Sequence, residues 1–319
     1  MTVHSRLQNL PVSFFSTVMG LSGMAIALQR AGDLWDFSPV LGNFVALLSL
    51  CAFVVLGLFY GVKVVRYPEL VIGELSDPVK MSFGATITVS LVLLSITTMQ
   101  LAPTLSKALW VTGASLHLVY TLYALNTWIH KTDFEIKHIS PAWFIPVVGN
   151  ILVPVAGVTY ASPEISWFFF SIGLLFWLVL FTIIIYRMIF HHPLPDKLLP
   201  TLFILIAPPA VGFISYVKLS GGLDGFGRVL YFSALFLTLL LFMQLPRFMR
   251  LPFYLSWWAY SFPLAAMTVA TLVMHDLTQL PGYAVLAWLF LGILCAIVIY
   301  LIVRTLYAIS RQQICVAGH

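Results

Sequence analysis

Charge is what this sequence has least of. Among 319 residues there are 16 Lys or Arg and 11 Asp or Glu, so 8% are charged, against roughly 25% in a soluble globular domain. Hydrophobic residues make up 61%, and the mean hydropathy is +1.01. So few charges cannot cover a water-facing surface, which excludes a soluble enzyme and a nucleic-acid-binding domain. The basic residues occur in ones and twos and never form a patch, so the net charge of +5 is not a nucleic-acid footprint. Cysteine is scarce too: Cys51, Cys295 and Cys315 are far apart and carry no CxxC or CxxH spacing. Neither a disulfide framework nor a zinc site is indicated, and His191-His192 near Asp196 is a weak metal signal. No cofactor or metal is expected. No cleavable leader or twin-arginine pattern is seen, so the first apolar stretch, from about Leu10, reads as a membrane span.

What is present instead is apolar sequence in span-sized runs. A spanning helix takes about 20 mostly apolar residues. Runs between charged or Pro/Gly punctuation fall at 10–29, 41–62, 81–102, 108–129, 141–161, 166–187, 198–218, 228–246, 252–274 and 281–303. Their connectors are too short for a soluble domain, so residues 1–319 are expected to form a single all-α membrane domain. The N-terminus, the even-numbered loops and the C-terminus hold 12 of the 16 Lys and Arg residues. By the positive-inside rule both termini are expected in the cytoplasm, in a multi-pass protein of the cell (inner) membrane. Trp35, Trp110, Trp128, Trp143, Trp167, Trp257 and Trp258 lie near expected span ends, where interfacial aromatics gather.

Proline sorts the spans into two classes. Pro11, Pro78, Pro141, Pro146, Pro154, Pro200, Pro208, Pro209, Pro252 and Pro263 begin or interrupt the odd-numbered spans, while the interiors of the even-numbered spans contain none. Proline inside a helix removes a backbone hydrogen bond and kinks it. Such breaks are tolerated at membrane depth only where protein or a water-filled cavity surrounds them. The odd helices are therefore expected inside and the even ones outside, as five hairpins each made of a kinked inner and a plain outer helix. An odd number of hairpins argues against an inverted-repeat transporter.

The odd spans also carry small or polar stripes at the helical period. Ser13, Ser16, Thr17, Gly20 and Met24 fall within an arc of about 100°. Ser82, Thr86, Ser90 and Thr97 form a second stripe, and Pro146, Gly149, Asn150, Pro154 and Gly157 a third. Thr201, Pro208, Gly212, Ser215 and Tyr216 form a fourth. One reading is close helix packing through small residues; the other is a shared central path. No Asp, Glu, Lys or Arg falls near the middle of a span, and the one histidine well inside is His117, expected as a hydrogen-bonded structural residue. Proton relays and cation-selective rings use buried acids or histidines. Their absence suits passive passage of a polar or anionic solute. In span 9, Phe262 precedes Pro263 and has Ala265 and Ala266 on its face one turn later, a bulky ring beside small neighbours at a kink. A hydrophobic constriction of this kind can gate conduction.

These motifs resemble the tellurite-resistance/dicarboxylate transporter family, which includes plant guard-cell slow anion channels, bacterial tellurite-resistance proteins and yeast malate permeases. Residues 10–20, Leu-Pro-Val-Ser-Phe-Phe-Ser-Thr-Val-Met-Gly, are similar to its first-helix Pro-x-Gly-Tyr-Phe-Gly pattern. Asp77-Pro78 through Ser82-Phe83 resembles its His-Pro-x-x-x-Ser-Phe, and Thr97-Thr98-Met99 its Thr-Thr-Met. Pro146 through Asn150, Ala207-Pro208-Pro209-Ala210 and Ser256 through Phe262 resemble its fifth, seventh and ninth helices. The resemblance implies five hairpins around a central pore, a homotrimer with one pore per subunit, and occlusion of the pore by Phe262. Pore-lining or hinge roles would then fall to residues of the four stripes and to Pro263. Ser13 and Ser16 replace family glycines, and Pro263 stands where glycine is common after the gate. The implied function is a gated channel or uniporter for small anions. The alternative is a secondary transporter or exporter of dicarboxylates, sulfite or oxyanions such as tellurite. A membrane enzyme would need convergent catalytic groups at depth, and none are found.

Overall fold

The computed structural model describes residues 3–315, with side chains from Arg6 onward. Ten helices are long and apolar enough to cross a membrane. They are α1 (Val12–Trp35), α2 (Val40–Arg66), α3 (Met81–Thr98), α4 (Pro103–His130), α5 (Pro141–Tyr160), α6 (Pro163–Phe190), α7 (Leu199–Ser220), α8 (Gly225–Phe242), α9 (Leu255–Thr278) and α10 (Pro281–Ser310). No strand occurs among the described residues. The chain is a multi-pass membrane protein.

Burial divides the helices by parity. In the apolar stretch of each odd helix, 78% to 83% of residues are buried, against 22% to 39% in the even helices. Each odd helix packs on the even helix that follows it. Consecutive odd helices also pack on one another, and α9 packs back on α1, so the five close into an inner ring. The even helices lie outside it, with apolar side chains such as Phe44, Phe168, Phe236 and Leu289 exposed.

The two classes differ in backbone as well. Four of the odd helices contain 3₁₀ turns: Val12–Phe15 opens α1, Leu199–Ile206 opens α7 and Leu255–Tyr260 opens α9, while α5 has two, Pro141–Trp143 and Gly149–Leu152. In α3 a short piece, Met81–Gly84, is separated from Thr86–Thr98 at Ala85. Proline accounts for much of this. Pro146, Pro154, Pro208, Pro209 and Pro263 have no N–H to give the carbonyl four residues earlier, so those turns tighten or break. The even helices run unbroken for 18 to 30 residues.

Several boundaries move relative to the sequence reading. Helices α4, α6 and α10 start on Pro103, Pro163 and Pro281, where the ring's fixed φ suits a first helical residue. Apolar runs alone put the first two of these starts at 108 and 166, beyond the polar residues Lys107 and Glu164. Helix α8 begins at Gly225, because the Asp224 side chain accepts a hydrogen bond from Gly227 N and caps it. The tryptophans are not a simple interfacial belt. Trp110, Trp143 and Trp258 are buried, and the Trp128 and Trp143 rings stack at 4.5 Å.

Candidate functional site

The irregular starts of the five odd helices converge on a cavity of about 1350 Å³. Its wall takes Pro11, Val12, Ser13 and Ser16 from the start of α1, Phe83 and Thr86 from α3, and Phe144 and Gly149 from α5. Ile204 and Pro208 come from α7, and Ser256, Trp258 and Pro263 from α9. Residues at or just before the first turn of α1, α3, α7 and α9 line this space, and α5 joins it from Phe144 onward. Charged side chains also border the cavity: Lys63, Glu69, Glu74, Asp77, Lys80, Lys197 and Arg304. Cys315 borders it too, and burial pushes that thiol up from its ordinary value, so it stays uncharged.

Beyond the cavity lies a second pocket of about 40 Å³, lined only by apolar residues, among them Gly23, Leu93, Ile96, Ile214, Ala265 and Val269. Three side chains border both spaces: Phe262 of α9, Leu152 of α5 and Val211 of α7. These three residues are shared by a large, partly polar space and a small, apolar one. Gly23 of α1 lets α9 approach closely at Ala265, beside Phe262. A Cβ on Gly23 would lie 2.7 Å from Ala265 Cβ and 3.5 Å from the Phe262 ring.

Of the residues singled out in the sequence, Ser13, Ser16, Thr86, Gly149, Pro208, Phe262 and Pro263 line the large cavity. Thr17, Gly20, Ser82, Ser90, Pro146, Asn150, Pro154, Gly212 and Ser215 do not. Their surroundings explain why a polar stripe runs along each inner helix. Thr17 Oγ1 donates to Phe14 O at 2.8 Å, and Ser16 Oγ to Ser13 O at 2.6 Å, within the 3₁₀ turn of α1. Ser90 Oγ reaches Phe15 O on the same turn from α3. Ser215 Oγ donates from α7 to Ile151 O in the broken part of α5. Asn150 Nδ2 donates to Val147 O at 2.7 Å, and Thr121 Oγ1 to Pro146 O at 2.7 Å. These hydroxyl and amide groups give side-chain donors to carbonyls in and beside the irregular turns.

The small residues have a second task. A Cβ on Gly20 would collide with Ser261 Oγ and come within 2.9 Å of Trp258, so α1 and α9 touch through that glycine. Gly212 packs on Ile151, with a Cβ 3.0 Å from its terminal carbon. Pro154 is buried at the start of the last turn of α5, and Ser82 is buried with its Oγ unpartnered. His117 is hydrogen-bonded, as expected: its Nδ1 shares a 2.7 Å hydrogen bond with Thr88 Oγ1. It is fully buried although its helix is an outer one, and a Cβ on Gly149 would lie 2.7 Å from its Nε2.

Sequence reasoning missed several groups. Leu152 and Val211 are ordinary apolar letters, and no pattern sets them apart. Lys63 lies one turn from the end of α2 yet is 1% exposed; its Nζ donates to Leu10 O at 2.8 Å and pairs with Glu74 at 3.0 Å. Tyr60 Oη donates to the other Glu74 oxygen at 3.0 Å. This cluster ties the short helix Pro68–Ser76 to the cavity mouth. Charged residues within the ten helices all fall in the first or last two turns, as Lys63, Arg187, Lys218 and Arg304 do.

Comparison with known proteins places the chain. Residues 9–306 match the profile of the voltage-dependent anion channel family. The chain belongs to this family. It is 26% identical to an uncharacterized transporter of Methanocaldococcus jannaschii, over 97% of this chain and 96% of that protein. It is 28% identical to the guard cell S-type anion channel of Arabidopsis thaliana, over 87% of this chain and 51% of that protein. It is 23% identical to a tellurite resistance protein homolog of Haemophilus influenzae, over 95% and 92%. The chain thus spans about half the length of the plant channel and nearly all of the two prokaryotic relatives. These relatives include both kinds of protein that the motifs resemble: they are named as a transporter, an anion channel and a tellurite resistance protein homolog.

Proposed function

We propose that this protein is a passive channel or uniporter for small anions whose path runs through the inner ring and is closed by Phe262. The observation that carries this reading is the position of Phe262, with Leu152 and Val211, bordering both the large cavity and the small apolar pocket. An anion entering the cavity meets helix N-termini and no carboxylate beyond the mouth. To pass further it must shed water in a pocket without a hydrogen-bonding side chain, which is a barrier as long as the ring stays in place. Pro263 forms the backbone break beside the ring. The chain works as one membrane domain, in the cell (inner) membrane, with the large cavity and both termini on the cytoplasmic side. The 12 basic residues on that side support the orientation. By family likeness it assembles as a homotrimer with one path per subunit; a monomeric mass from light scattering in detergent would contradict that.

Ion substitution separates passive passage from coupled transport. Purified protein in liposomes is expected to give anion flux that follows the anion gradient and membrane potential alone. Flux that requires a proton or sodium gradient and saturates with substrate would instead make it a secondary transporter of organic anions or oxyanions.

A further inference from the structure

The large cavity holds a guanidinium that the gate does not use. Arg304 of α10 lines it, with its guanidinium carbon 5.3 Å from the centre of the Phe253 ring and 5.8 Å from that of Tyr307. Its Nε is buried without a hydrogen-bond partner, and among the described residues no carboxylate pairs with it. Lys63, by contrast, is neutralised by Glu74. The position of Arg304 is fixed by its neighbour: Trp258 Nε1 donates to Thr305 Oγ1 at 2.9 Å, which docks this turn of α10 on the start of α9. In that start, Ser256 also lines the cavity, and its Oγ too is buried without a partner. Two unpartnered polar groups, one cationic, thus border one cavity. Buried donors cost stability unless an acceptor reaches them.

We propose that Arg304 and Ser256 form an oxyanion subsite in the cavity, reached before Phe262. The ligand class is a small group with two or more coplanar oxygens, such as nitrate or a carboxylate. A guanidinium gives such a group two parallel hydrogen bonds, which a halide cannot accept in that way. The rings of Phe253 and Tyr307 hold the guanidinium in place. The same chemistry suits a free anion on its way through the path and the phosphate of a lipid headgroup. The inference rests on the proposed anion path for its role in permeation, but not for binding.

Binding therefore tests it without current. Wild type, Arg304→Gln, Arg304→Lys and Ser256→Ala are purified without anionic lipid, and the unfolding temperature is followed against sodium nitrate and sodium chloride at matched ionic strength. Nitrate is expected to stabilise wild type more than chloride does. Its half-maximal concentration should rise about tenfold in Arg304→Gln, the size expected for losing a charged hydrogen-bonding partner, and by less in Ser256→Ala. Arg304→Lys keeps the charge and loses the fork, so it should lose the preference for nitrate over chloride even if the glutamine variant does not fold. A second arm replaces nitrate with phosphatidylglycerol micelles. Stabilisation by nitrate assigns the subsite to free oxyanions; Arg304-dependent stabilisation by the lipid alone assigns it to a headgroup phosphate. Equal responses in wild type and both Arg304 variants, or no response to either probe, overturn the proposal. Failure of Phe262 to gate would leave this binding result unchanged, and loss of the subsite would leave the gating test unchanged.

Discussion

Three of the five even helices are more apolar than any odd helix, yet it is the odd ones that are buried. The even helices are long, regular and mostly exposed, and their carbonyls are satisfied within each helix. The odd helices are irregular and buried, and carbonyls in and beside their irregular turns accept from Ser, Thr and Asn side chains within the ring or on α4. An outer helix can be tested by hydropathy alone. An inner helix trades regularity for a set of N-termini around a cavity, and its polar residues serve that backbone before they serve any solute.

The largest effect is expected at the ionic contact where an outer helix meets the cavity mouth. Lys63→Ala strands Glu74 and frees Leu10 O and the short helix Pro68–Ser76 at the cavity mouth. Losing one partner of a buried pair costs about 3–5 kcal/mol, so the variant is expected to unfold at a clearly lower temperature in detergent. Retained stability would mean that water replaces the lysine without loss.

A smaller effect separates the two classes by packing. Gly20→Ala places a methyl against Ser261 and Trp258 between two inner helices and should destabilise by about 1–3 kcal/mol. Gly292→Ala on α10 meets nothing within 4 Å and should change stability by no more than about 0.5 kcal/mol. Equal unfolding temperatures for the pair would remove the distinction between inner and outer helix surfaces.

The smallest effect tests what the polar stripes do. Ser215→Ala loses the bond to Ile151 O and should cost about 1 kcal/mol, while anion selectivity stays as in wild type. A changed nitrate-to-chloride permeability ratio at unchanged stability would place that hydroxyl in the path instead.

Much of this was legible in the sequence because it rests on local chemistry. Lack of charge gives the membrane, proline placement gives the two helix classes, and Phe262 beside Pro263, Ala265 and Ala266 stands out as a ring at a kink. Helical periodicity, however, cannot tell a stripe that faces a cavity from one that faces a neighbouring helix. Gly20, Gly212, Ser90 and Ser215 belong to the second kind, because the side chains and carbonyls they meet belong to neighbouring inner helices. Leu152 and Val211 were hidden for the opposite reason: nothing local distinguishes an apolar side chain at a constriction from one in any core. Lys63 was unremarkable as a basic residue near a span end until the fold brought Glu74 to it.

The central claim is that an aromatic ring closes a path made by the inner helices. The most direct measurement is anion conductance of Phe262→Ala against wild type in a voltage-clamped planar bilayer, with insertion of both confirmed by matched protein content. The account predicts at least a tenfold rise in chloride current, equivalent to removing about 1.4 kcal/mol of barrier, with anion-over-cation selectivity kept. Unchanged current from correctly inserted Phe262→Ala would contradict it.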